Sequence, residues 1–215
     1  MADAALRIPK TEPAQDSPAN LVAEATSPDI LNDIWLPGRA VTIWRRKPQP
    51  TFQDWIDAVA PDRLPQGRVT LTPDRAEDAV TVLCDQVGLA PSPNRSMLTG
   101  DIAALAAIFA RVLSVDLVRL RLDVVQDNAC TLFHADTVPA RLLCTYRGRG
   151  TEYGVSDDGD APRTVTSLPT GSVGLFRGLL FAKDEQTGIV HRSPPIEGAG
   201  ETRLLLVIDV VSENP

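Results

Sequence analysis

The chain has 215 residues, a net charge of -7, 43% hydrophobic and 23% charged residues, which is enough apolar material for one substantial core and too acidic a balance to favour a nucleic-acid backbone as partner. The first twenty residues lack a basic segment followed by a continuous apolar stretch, which argues against a secretory signal, and no apolar run reads as membrane-spanning. Three cysteines without paired spacing, Cys84, Cys130 and Cys144, fit buried, reduced thiols and a cytoplasmic location.

Residues 1–29, rich in Ala, Pro, Ser, Asp and Glu and without periodicity, read as a flexible tail. One α+β domain is expected over 30–215. Ile30–Trp35 and Val41–Trp44 flank a Pro37–Gly38 turn, the second segment reading as a strand and both tryptophans as packing anchors. Three helices are expected next. Thr51 is placed to cap the first, which carries Phe52, Trp55, Ile56 and Val59 on one face and stops at Pro61. Thr72 and Pro73 open the second, whose stripe of Ala76, Val80, Leu83 and Val87 ends at Gly88. Ile102, Leu105, Ile108, Phe109 and Val112 repeat at helical spacing in the third, with Asp101 near its start. Residues 30–116 are thus expected to be mainly helical support.

From residue 117 the period becomes two. Val118, Leu120, Leu122 and Val124 alternate with Arg119, Arg121 and Asp123, the pattern of a half-buried strand. Further strands are expected at 131–133, 141–146, 172–176 and 203–211, separated by Gly/Pro turns, which points to a sandwich or barrel over 117–215.

The chemistry gathers at Phe133-His134-Ala135-Asp136. On a strand, positions i and i+2 share a face, so His134 and Asp136 could bind one ion. An iron site with two histidines and one carboxylate needs a second histidine, and the chain has only one other, His191. Arg203, twelve positions later, opens the last strand with a planar cation suited to a carboxylate, such as the far end of a metal-chelating 2-oxo acid. Thr145 and Tyr146 could add a hydroxyl there, and Arg141 is a reserve carboxylate binder. Blander alternatives stand beside these: a His134–Asp136 ion pair, a turn histidine at His191, an Arg203 paired to a structural acid. A zinc site drawing on Cys130 and Cys144 matches no zinc-ribbon spacing. A metal-dependent hydrolase would need a general base, for which Glu152 is the candidate.

The order Phe133-His-Ala-Asp136, Arg141–Tyr146, Gly171–Phe176, Val190-His191 and Thr202-Arg203 resembles Fe(II)/2-oxoglutarate oxygenases. The resemblance implies a double-stranded β-helix (jelly-roll or cupin-like) barrel on which the helical N-terminal half packs. It also implies His134, Asp136 and His191 as iron ligands and Arg203 as the cosubstrate anchor. Residues 30–210, through Phe-His-Ala-Asp136, Leu142–Tyr153 and Val190–Pro195, resemble more closely the bacterial family DUF1826. That family has no assigned reaction to carry over, and it implies a link to metal-homeostasis GTPases. A noncatalytic zinc- or iron-binding protein is the rival reading, and a small molecule or a protein the expected substrate. Residues 177–189, with a Lys183-Asp184-Glu185 turn, are expected to form a lid or a wall of the site.

Overall fold

The computed structural model describes residues 18–156, 161–181 and 185–211. Residues 1–17 of the expected tail, and Lys183 and Asp184 of the expected turn, lie outside that set. The expected tail is too long: Leu21–Ala25 forms β1 and pairs in parallel with β2 (Arg39–Trp44). Between them, Pro28–Trp35 is a 3-10 helix capped by the Ser27 hydroxyl, and Gly38 takes the positive φ of 74° that the turn into β2 requires.

Helix α1 (Pro50–Ala58) starts one residue before Thr51, from Gln49, without a side-chain cap. Strand β3 (Gly67–Leu71) follows. A 3-10 turn over Pro73–Arg75 leads into α2 (Ala76–Gln86), and Thr72 makes no capping bond. The third helix begins well before the expected point. As α3 it runs Pro93–Leu113, capped by Ser92 accepting from the Arg95 amide at 3.1 Å, so Asp101 lies mid-helix. Its 21 residues are long and apolar enough to cross a membrane by length and composition, contrary to the sequence reading. It is instead the core helix, with Leu98, Ile102, Leu105 and Phe109 fully buried. At about 1.5–3 kcal/mol for each such side chain, this face is a main stabilising contact of the fold.

The remaining strands are β4 (Val118–Val125), β5 (Ala140–Arg147), β6 (Glu152–Val155), β7 (Thr166–Ser167), β8 (Val173–Arg177), β9 (Ile189–Arg192) and β10 (Arg203–Val210). They form a seven-stranded sheet in the order β1-β2-β8-β5-β10-β4-β3 and a three-stranded sheet β7-β6-β9, which a single bridge at His134 extends beyond β9. From β4 onward the chain passes back and forth between the two sheets. Three strands of the large sheet come from the N-terminal half, so that half is not only helical support.

Alternation along the strands sorts the core into two layers. Leu204, Leu206 and Ile208 of β10 join Leu142, Cys144 and Tyr146 of β5 under the helices. Leu205 and Val207 join Leu143, Phe176, Tyr153 and Ile189 between the sheets. Strand β10 is covered on both faces, hence its near-continuous apolar run. Strand β4 is covered by helices on one face only, hence its alternation of Val118, Leu120 and Leu122 with charged residues.

Candidate metal centre

Two backbone hydrogen bonds build the centre. The His134 amide donates to the His191 carbonyl at 3.0 Å, and the His191 amide donates to the His134 carbonyl at 2.9 Å. Residues that face each other in this way on an antiparallel ladder project to the same side. The two imidazoles therefore sit together, with ring centroids 4.8 Å apart. Asp136 follows His134 by two positions and completes the group: ligand-capable atoms of His134, Asp136 and His191 all lie within 4.8 Å of one another.

The donor set suits a metal. His191 Nε2 lies 3.1 Å from Oδ2 of Asp136, and His134 Nε2 lies 3.6 Å from Oδ1 of the same carboxylate. Buried Oδ2 nevertheless accepts no well-formed hydrogen bond among the described residues. A nitrogen and an oxygen about 3 Å apart that do not bond each other have the spacing of neighbouring ligands on one ion with bonds near 2.1 Å. His134 Nδ1 donates to the Leu132 carbonyl at 2.9 Å, which leaves its Nε2 bare toward Asp136. His191 packs against the Phe176 ring at 5.3 Å.

Arg141 fixes the carboxylate. Its Nη1 donates to Asp136 Oδ1, while Nε and Nη2 bind the two oxygens of Asp209 at 2.6 and 3.0 Å. Burial alone would raise the Asp136 pKa, but His191, Arg141 and His134 outweigh it and hold the carboxyl below its ordinary range. Arg141 is thus a positioning residue with its nitrogens committed to two acids, and not a reserve binder for a cosubstrate. Asp209 and this link were missed from sequence. The signal was there: Asp209 is the lone charge within Leu204–Val210. The Leu179 amide, donating to the Asp136 carbonyl at 2.8 Å, ties the segment after β8 to the same loop.

Arg203 is fully buried, on the same face of β10 as Leu205, Val207 and Asp209. Its Nε donates to the Arg149 carbonyl at 2.6 Å, and its Nη1 and Nη2 have no partner among the described residues. Burial pulls its pKa down to about 10. Asp209 lies six positions further along the same strand, about 20 Å for an extended chain. The Thr145 hydroxyl, on β5 opposite Leu205, is also buried and unpartnered among the described residues.

Three sequence candidates, Tyr146, Cys144 and Glu152, are taken up by other contacts. Tyr146, next to Thr145 on the strand, points to the other face, where its hydroxyl donates to Asp101 at 2.6 Å beside the Arg46–Asp101 pair. Cys144 shares that helix-side layer, while Cys130 is exposed rather than buried, with Sγ 3.5 Å from His134 Nδ1. Glu152 is held by Arg192 at 2.7 Å and is not free to act as a base. A cavity of ≈ 570 Å³ opens between β1–β2 and β6–β7, with Glu24, Arg45, Tyr153, Arg163 and Ile189 in its wall.

Among solved structures, the chain is similar to AtDAO1, the dioxygenase for auxin oxidation 1 from Arabidopsis thaliana, in a 2-oxoglutarate complex, at 14% identity and a TM-score of 0.45 over 89% of this chain and 74% of that one. It is also similar to a prolyl-4-hydroxylase from Pseudomonas putida, at 14% identity and 0.43 over 87% and 99%. A third likeness is to a full-length Neurospora crassa protein solved in complex with alpha-KG, at 13% identity and 0.41 over 93% and 87%. At these values the likenesses fix neither reaction nor substrate. None of the curated proteins matches the sequence. Residues 25–209 match the model of the family described as "Protein of unknown function (DUF1826)", and the chain belongs to that family.

Proposed function

We propose that this protein is a mononuclear non-haem iron oxygenase using 2-oxoglutarate. His134, Asp136 and His191 hold Fe(II), Arg203 receives the far carboxylate of the cosubstrate, and the two sheets form a double-stranded β-helix around them. The observation that carries this reading over simple metal storage is Arg203. A buried guanidinium with two unpartnered nitrogens is costly unless an anion completes it. It lies on the interior face of the strand that also carries Asp209, the support of the metal-facing carboxylate.

When bound, Fe(II) would activate dioxygen, the oxidant, with 2-oxoglutarate giving up two electrons as it is decarboxylated to succinate and carbon dioxide and the substrate giving up the other two. The chain's part is placement. His134, Asp136 and His191 would hold the ion, and a set of only three protein ligands would leave positions for cosubstrate and dioxygen. Arg141 keeps Asp136 ionised and oriented. Arg203, with the Thr145 hydroxyl near it in the ladder, supplies donors for a carboxylate, and Leu143, Phe176, Leu205 and Val207 of the buried layer between the sheets exclude water. A cytoplasmic small molecule or protein is the substrate class consistent with an acidic chain.

The test is anaerobic loading with Fe(II) followed by 2-oxoglutarate. The expected result is a visible charge-transfer band, succinate on aeration, and loss of both in Arg203→Ala with metal binding retained. Iron binding without a band and without succinate would overturn the reading in favour of a noncatalytic zinc or iron protein.

A further inference from the structure

On the side of the large sheet that faces the small one, β4 and β3 form a wing covered much less than the rest. Arg68 and Thr70 are exposed, and Arg119, Arg121 and Asp123 are part-exposed. Register places Arg68 directly opposite Arg121 and Thr70 opposite Arg119. Like charges facing across a ladder destabilise it by some tenths of a kcal/mol or more. On β3 and β4, Arg121 is paired to Asp123 at 3.0 Å, and Arg119 stands across the ladder from Asp209, whose carboxylate is held by Arg141; among the described residues Arg68 and Arg119 make no salt bridge. Three arginines gathered on one face of a chain with net charge -7 run against its overall balance.

The wing leads into the candidate metal centre. Thr70, Arg119, Asp209 and Arg141 lie in one row across β3, β4, β10 and β5. Arg141 holds Asp136 at the end of that row. Three strand spacings make this about 14 Å, the reach of four or five extended residues. The large cavity lies on the other wing, at β1–β2, and the exposed Arg68 and Thr70 stand at the sheet's edge rather than in its wall, which suits a macromolecule better than a small ligand. Strand β3 is also an edge: it pairs with β4 alone. An edge offers backbone donors and acceptors that a peptide matches and a nucleic acid does not.

We propose that Arg68, Arg119 and Arg121, together with the edge of β3, form a docking surface for an acidic peptide segment that runs along β3, beside the row that ends at Asp136. That this segment is the oxygenase substrate rests on the reading above; the docking surface itself does not. Carboxylates on alternate residues of an added strand would face the arginines, and the long-range repulsion expected of an acidic protein is outweighed locally by charge-assisted bonds.

The test uses full-length protein and a fluorescein-labelled decaglutamate peptide, followed by anisotropy at low and high salt. Wild type is expected to bind it, more weakly as salt rises, and not to bind decalysine. Arg68→Gln/Arg119→Gln, checked for an unchanged unfolding midpoint, is expected to lose at least about tenfold in affinity. His134→Ala is expected to lose Co(II) binding while keeping the peptide, which separates failure of the surface from failure of the metal reading. Equal peptide binding by the double variant would overturn the proposal and leave the arginines as guards against edge-to-edge aggregation. Tighter binding of decathymidylate than of decaglutamate would overturn it in favour of nucleic acid, and equal binding of a backbone N-methylated decaglutamate would overturn the edge-pairing half.

Discussion

On the proposed function, Arg203 would pit stability against cosubstrate binding within one side chain. Its buried, unpartnered nitrogens disfavour the ligand-free fold, so Arg203→Met is expected to raise the unfolding free energy of the metal-free protein by about 1–3 kcal/mol while abolishing 2-oxoglutarate binding. Denaturant unfolding and the charge-transfer titration check the two halves. Asp136 behaves in the opposite sense. Its carboxyl titrates below the ordinary range, so the stability it contributes is present above about pH 4, the unfolded value, and is lost as pH falls through the lower native one. The stability difference between wild type and Asp136→Asn is therefore expected to shrink in acid unfolding curves recorded below about pH 4. The pair His134 and Asp136 was legible from their spacing of two, although only His134 sits on a ladder, through one bridge, and Asp136 follows it in the loop. Tyr146 was misassigned for a geometric reason: adjacent residues on β5 face opposite ways, and only the register shows that Thr145, not Tyr146, looks inward.

At the scale of elements, β2, β4, β5, β8 and β10 were readable, the strand expected at 131–133 shrinks to the single bridge at His134, and the short β6, β7 and β9 and the edge strands β1 and β3 were not foreseen. Strand β3 spells Arg68-Val69-Thr70-Leu71, an alternating pattern too short to stand out from a loop, and β1 lies in a stretch whose composition suggests disorder. Both are stabilised by a partner far along the chain, β4 and β2 respectively, which local pattern cannot reveal. Helix α3 shows the converse. Its C-terminal half carries the apolar repeat, and its first two turns, with polar Asn94, Arg95 and Ser96, look like a continuation of the preceding turn. The cap at Ser92 settles the start, so Ser92→Ala is expected to cost about 1 kcal/mol in thermal or urea unfolding and to leave metal binding unchanged.

For the molecule as a whole, the division into helical support and barrel understates how far the halves depend on each other. β2 pairs with β8 and β3 with β4, so the large sheet is assembled from both halves. The helices cover the face that carries Leu142, Leu175, Leu204, Leu206 and Ile208. A fragment of residues 117–215 would expose that face and two new edges. It is expected to aggregate or to lack a cooperative unfolding transition by circular dichroism, whereas a fragment beginning at residue 18 is expected to unfold as one unit.

The opposed histidines have one more consequence. The segment holding His134 joins the small sheet through a single bridge, helped by the Ser193 amide donating to the Cys130 carbonyl at 2.9 Å. An ion gripping His134 and His191 would rivet that segment to β9, closing a loop of 57 residues, so that occupancy becomes a mechanical property of the wall itself. The His134 and His191 amides, each bonded to the other residue's carbonyl, are then a built-in gauge. Their hydrogen exchange is expected to slow by at least about tenfold on adding Co(II), measured by exchange-detected mass spectrometry, while the amides of α3 barely change.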